Sequence, residues 1–269
     1  MLISNTLNLK EKIIKPVVTL GSFDGVHVAH KTIFKRVKDI ADKIGGTSVI
    51  LTFDPHPVEV LNPAAKISLI SSKEEKIQLL EEAGIDVVIF IPFDLEFSKI
   101  TSDDFVKKIL VENIGIETIV VGYNHTFGHD RKGNFSLLCD MGKIYNFNVE
   151  EIPEQDIKNE AISSSKIRQA LQEADIEKAN KYLGYNYFLS VKVSEIDTKN
   201  LQNIIRFEVP FKKKLIPSDA EYNVKIIGDN SNFDAIISIK DSDVFLQTSD
   251  DLGFKIGEKL NLVFESVNI

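Results

Sequence analysis

The sequence predicts an α/β chain in two parts: a Rossmann-like unit with a parallel sheet, then a smaller antiparallel β-barrel. Two patterns carry this expectation. As far as Leu183, β-branched apolar runs alternate with stretches whose apolar residues recur at spacings of three and four; beyond Gly184 such runs continue without helical stretches between them. A third observation fixes where function is expected. Glycines and polar clusters stand where apolar runs end, and open parallel sheets bind ligands beyond the C-terminal ends of their strands.

The elements follow in chain order. Residues 1–15 carry little pattern and suit an edge strand or an arm. Val17–Leu20 is a strand that breaks at Gly21 and Gly25, after which Ile33, Phe34, Val37, Ile40, Ala41 and Ile44 mark one apolar helix face, closed by Gly45-Gly46. Thr47–Phe53 is a strand, ended by Asp54-Pro55-His56-Pro57, where the prolines withdraw ladder donors. Ser72 with Glu75 signals a capping box for a helix over Lys73–Ala83, and Asp86–Ile91 is a strand before Pro92. Thr101 with Asp104 opens a helix carrying Phe105, Ile109, Leu110 and Ile114. A strand over Glu117–Gly122, a helix over Gly133–Ile144 and a strand over Phe147–Ile152 complete the alternation. Helices are expected after Ser163 and over Ile176–Leu183, then strands at Tyr187–Val193, Ile204–Val209, Tyr222–Ile227, Ala235–Ile239 and Leu260–Phe264. The domain boundary is expected at 185/186.

Composition limits the function. The chain has 269 residues, 43% hydrophobic and 27% charged, enough to fill a sizeable core. A net charge of −8 argues against a nucleic-acid-coating surface, and Lys212-Lys213-Lys214 reads as a solvated edge or turn. No apolar run is long enough for a membrane span and no leader pattern opens the sequence, so a cytoplasmic protein without a membrane partner is expected. Cys139, the single cysteine, permits no internal disulfide and is expected to be buried in a helix.

Chemistry concentrates at four strand ends. His27 and His30 share a face of the first helical turn, beside N–H groups with no internal acceptor, where phosphate is favoured. Zinc is the rival for a histidine pair. It lacks helper ligands at suitable spacing, and metalloprotease helices place their histidines four apart around a glutamate. The serines and cations of Ile162-Ser163-Ser164-Ser165-Lys166-Ile167-Arg168 fit the same use as partners of the histidines.

Thr19-Leu20-Gly21-Ser22-Phe23-Asp24-Gly25-Val26-His27 with His30 resembles the His-x-Gly-His signature of nucleotidylyltransferases. Thr52–Pro57, Gly122-Tyr123-Asn124 with Phe127-Gly128 and Gly133, and Ile162–Arg168 extend the likeness in order and spacing. Together they resemble the adenylyltransferase module of the prokaryotic bifunctional riboflavin kinase/FAD synthetase family. The resemblance implies an FMN adenylyltransferase domain over residues 1–185, with AMP passing from ATP to FMN in the presence of Mg²⁺. By the same likeness, His27 and His30 would stabilise charge at the α-phosphorus, with Asn124 positioning the reacting phosphates. Ser164, Ser165 and Arg168 would hold the β and γ phosphates. Phe53, Pro55, His56 and Pro57 would border flavin and nucleotide, and Gly21, Phe23, Asp24, Gly25 and Phe127 would complete the substrate site. No residue is assigned as a metal ligand.

Two departures stand out. Ala29 replaces the signature glycine, adding a methyl where close approach to nucleotide is expected. In residues 186–269 the family's riboflavin kinase barrel would begin with a glycine-rich segment and Pro-Thr-Ala-Asn, both absent from Val191–Asn203. Kinase activity is therefore expected to be lost. Rival readings are a non-catalytic flavin or nucleotide sensor and a related enzyme with another phosphate acceptor; homo-oligomer formation is left open.

Overall fold

A computed structural model describes residues 1–7, 13–65, 67–123, 125–153, 162–199, 202–229 and 231–268. They form two compact units, one of Met1–Ile67 with Lys76–Ala161, the other of Ser68–Glu75 with Ile162–Ile269.

The first unit holds a six-stranded sheet in the order β1-β4-β3-β2-β5-β6. Its strands are β1 (Leu2–Ser4), β2 (Pro16–Leu20), β3 (Thr47–Asp54), β4 (Val87–Pro92), β5 (Thr118–Gly122) and β6 (Asn148–Ile152), all paired in parallel. Alternate residues of one strand serve opposite faces. Val17 and Val120 therefore meet Val37 and Ala41 of helix α1 (Val28–Ile44), whereas Val18, Ile119 and Val121 belong to a separate cluster. That second cluster also takes Phe105, Ile109 and Leu110 from a helix that begins as α4 (Ser102–Asp104) and continues with π winding over Phe105–Ile114. Leu138 and Met141 of α5 (Phe135–Tyr145) complete it. The expected capping box is present: Ser72 N–H donates to Glu75 at 2.8 Å and Glu75 N–H to the Ser72 hydroxyl at 3.1 Å, at the start of α3 (Lys73–Glu82). A short helix missing from the sequence reading, α2 (Pro57–Leu61), follows β3.

The topology positions the site. From β2 the chain moves outward to β3 and β4 on one side, then returns to place β5 and β6 on the other. The reversal between β2 and β5 leaves a crevice at their C-terminal ends, the usual ligand position in such sheets.

In the second unit β7 (Phe188–Lys199), β8 (Gln202–Glu208), β9 (Ala220–Ile227), β10 (Asn232–Lys240), β11 (Asp243–Thr248) and β12 (Lys259–Val267) close as a barrel in the order β10-β11-β8-β7-β12-β9. The sequence reading omitted β11. Its hairpin from β10 turns on Asp241 and Ser242, both at positive φ, with Lys240 paired to Asp243. That is the geometry usually announced by Asn-Gly, so the turn was not legible.

The second compact unit takes in α6 (Ser164–Gln172) and α7 (Ile176–Leu183), because these helices bury Ile167, Leu171, Ile176 and Leu183 in the barrel's core cluster. Two expectations are corrected. The basic run is not a uniform solvated edge. Lys212 and Lys213 are exposed, but the Lys214 side chain is 2% exposed, with its ammonium 2.6 Å from Glu75, 2.7 Å from the Ile70 carbonyl and over the Tyr187 ring. Cys139 lies on α5 as expected but is only half-buried. Among the described residues, no helix is long and apolar enough to cross a membrane.

Candidate active site

The turn after β2 is set by its backbone. Phe23, Gly25 and Val26 all take positive φ, a strained state for a β-branched residue such as Val26. The turn delivers His27 to the N-cap of α1, where its side chain makes no capping bond and no acidic residue occupies the first turn. Neither the N-cap side chain nor a first-turn carboxylate thus competes for the helix's first N–H groups.

His27 and His30 stack, ring centroids 3.5 Å apart and planes inclined by 18°. Both Nδ1 atoms are buried with no hydrogen-bond partner among the described residues. Burial pushes His27 down to about 4, against the opposing pull of the Asp24 charge. His30 is held well below its ordinary range by burial, then by His27 and Lys76. Lys76 is itself buried, its ammonium 2.6 Å from the Ser22 carbonyl, so it fixes a positive charge behind the turn.

A cleft of about 920 Å³ opens from this turn between the ends of β2 and β5. Its apolar wall is a run of rings in edge or tilted contact. Phe53 lies 5.3 Å from Phe93, Phe93 5.7 Å from Phe97, Phe97 6.4 Å from Phe105 and Phe105 5.7 Å from Phe127. Phe127 is pinned by paired backbone bonds to Gly133 at 3.1 and 2.9 Å, and its ring covers that glycine so closely that a Cβ there would stand 2.7 Å away. Such a wall suits a flat aromatic ligand, and the histidine end suits an anion.

Of the expected residues, Gly21, Phe23, His30, Phe53, Pro57 and Phe127 line this cleft. His27, Asp24 and Gly25 are buried in the turn, and Pro55 is exposed beside it in sequence. His56 has a helix-capping role: its Nδ1 accepts from Val58 N–H at 3.2 Å, and Glu59 accepts from its backbone. Asn124 lies outside the described residues. Ser164, Ser165 and Arg168 belong to the other compact unit. There the Ser163 hydroxyl caps α6, and Arg168 Nε donates to the Ser68 carbonyl at 2.9 Å. Ala29 is buried and is not a lining residue of the cleft.

The sequence reading missed Phe93, Phe97, Phe105, His125 and Lys76 as site residues. Phe93 and Phe97 follow the strand end at Pro92, a position the strand-end rule covers. Lys76 offered no signal, because it sits in a helix start rich in lysine and glutamate that reads as a solvated face.

Residues 9–166 match the family model described as FAD synthetase. The bifunctional riboflavin kinase/FMN adenylyltransferase of Buchnera aphidicola subsp. Schizaphis graminum (strain Sg) is 36% identical over 193 residues, covering 71% of this chain and 62% of that protein. The enzyme of the same description from Bacillus subtilis (strain 168) is 36% identical over 184 residues, 67% of this chain and 57% of its own length. The chain thus spans less than two thirds of either relative. In fold it is similar to a crystal structure described as a macrolide-efflux protein from Streptococcus pneumoniae, with a TM-score of 0.82 over 99% of this chain and 90% of that one at 22% identity. That likeness concerns the fold alone.

Proposed function

The chain belongs to the FAD synthetase family, and from that premise we propose that it transfers AMP from ATP to FMN, giving FAD and pyrophosphate. The observation that carries this reading is the junction of two unlike surfaces in one crevice. The stacked histidines and the open start of α1 receive phosphate at one end, and the phenylalanine wall receives a flavin ring along the other.

In this mechanism an FMN phosphate oxygen attacks the α-phosphorus of ATP, the bond from that phosphorus to the bridging oxygen breaks, and pyrophosphate leaves with the electron pair. A phosphate monoester with a second pKa of about 6 is largely dianionic at neutral pH, so the nucleophile needs no general base. The protein's work is positioning and electrostatic stabilisation of the charge that accumulates around the α-phosphorus. Neutral His27 and His30 donate N–H groups to the non-bridging oxygens, and the buried Lys76 ammonium adds a fixed positive charge nearby. Mg²⁺ would be held mainly by the nucleotide's own phosphates and would neutralise their charge, because this ion usually takes phosphates, waters and at most one or two carboxylates. In this reading the barrel has no kinase activity. The Val191–Asn203 stretch supports this: where a phosphate loop would need glycines, β7 continues to Lys199 and β8 begins at Gln202.

Purified protein with MgATP and either FMN or riboflavin, products separated by chromatography, tests the reading. FAD from FMN and no product from riboflavin are expected. Binding of FMN or ATP without any FAD would make the protein a ligand-binding sensor instead.

A further inference from the structure

His125 lines the cleft three residues past the end of β5, in a turn closed by its own N–H on the Gly122 carbonyl at 3.1 Å. Its ring lies nearly parallel to that of Phe127, 20° between planes and 6.2 Å between centroids. Nε2 is buried and has no hydrogen-bond partner among the described residues. An imidazole nitrogen buried without a partner destabilises a fold, and a phenylalanine would fill the same aromatic wall at no such cost. Stacking against phenyl rings holds a flat ligand but does little to set its rotation in the plane; a directed hydrogen bond does. The charged side chains of the same cleft, Asp130 and Arg131, are exposed at its lip, as is His129, whose Nδ1 pairs with the Ser98 carbonyl.

We propose that His125 determines specificity for the phosphate acceptor, its Nε2 forming a hydrogen bond with a ring heteroatom of the flavin stacked along the phenylalanine wall. The inference rests on the FMN reading above. Burial pushes the His125 pKa down to about 4, so the ring is neutral at physiological pH and retains both a donor and an acceptor nitrogen.

The test compares wild type, His125→Phe and His125→Gln for FMN binding by flavin fluorescence without ATP, for ATP binding, and for the thermal midpoint of the free protein. His125→Phe should weaken FMN binding by roughly threefold to tenfold and leave ATP binding unchanged. It should also raise the midpoint by about 2–4 °C, the opposite of what a structural residue would do. His125→Gln should recover part of the FMN affinity. Wild-type affinity for FMN in His125→Phe overturns the proposal. So does an equal loss for ATP, a lowered midpoint, or a Gln variant no better than Phe. Wild type that binds FMN yet forms no FAD defeats the reading of the reaction while the binding comparison still decides the role of His125. Wild type that binds no FMN defeats both.

Discussion

His27 and His30 have buried Nδ1 atoms with no bonded partner among the described residues, and His30 lines the cleft. If they stabilise the charge around the α-phosphorus, His30→Ala should lower FAD turnover by roughly 10²–10³, the range for losing one charge-stabilising donor. A near-wild-type rate would remove His30 from the chemistry. Burial also makes a stability prediction. His27 and His125 sit at about 4 in the fold against 6.5 for the ordinary side chain. Between those values the unfolded chain binds protons that the folded chain does not, so stability rises with pH across the window and falls on acidification. Denaturation midpoints should therefore drop as pH falls from 6.5 to 4, less steeply in His125→Phe. A midpoint flat across this range would contradict the burial argument. The histidine spacing was legible in the sequence, because helix geometry alone puts positions three apart on one face. The buried lysine behind them was not, since Lys76 becomes part of the site through a tertiary contact with the Ser22 carbonyl.

At the scale of elements, local chemistry was most legible where a signal is confined to one turn. The Ser72–Glu75 box and the Thr101 cap stand where the sequence puts them, because both depend only on residues three apart. The short α2 and the β10–β11 hairpin escaped notice because their signals are unusual. One is capped by a histidine, and the other turns on Asp241-Ser242 without a glycine. The Gly122–Gly128 motif gains a structural purpose in three dimensions. Gly128 holds φ at +73°, and a Cβ there would stand 2.7 Å from the Ser102 backbone. Gly128→Ala meets both the left-handed conformation and that close approach, so it should cost more than the 1–2 kcal/mol or so of the conformation alone. FMN affinity should fall with it, because the same loop sets Phe127 and His125. Denaturant titration with flavin binding checks this; unchanged stability would mean the loop can shift away from Ser102 freely.

For the whole molecule, the alternation of strands and helices foretold the parallel sheet, and the texture beyond Gly184 foretold the barrel. The compact division was less legible, because the change of texture marks where helices end. Helices α6 and α7 carry their apolar faces, Ile167, Leu171 and Leu183 among them, into the barrel's cluster. The serine and arginine group expected at the phosphates consequently stands in a different compact unit from the histidines. In the proposed function adenylyl transfer belongs to the crevice of the first unit, and the barrel, with β7 in place of a glycine-rich phosphate loop, makes no phosphoryl transfer to flavin. The most direct measurement follows the label from ATP marked at either the α or the γ phosphorus when the protein is incubated with Mg²⁺ and FMN. Label from the α position should appear in FAD, and label from the γ position only in pyrophosphate. Label from the γ position on any flavin, or α label confined to ADP, would contradict the account.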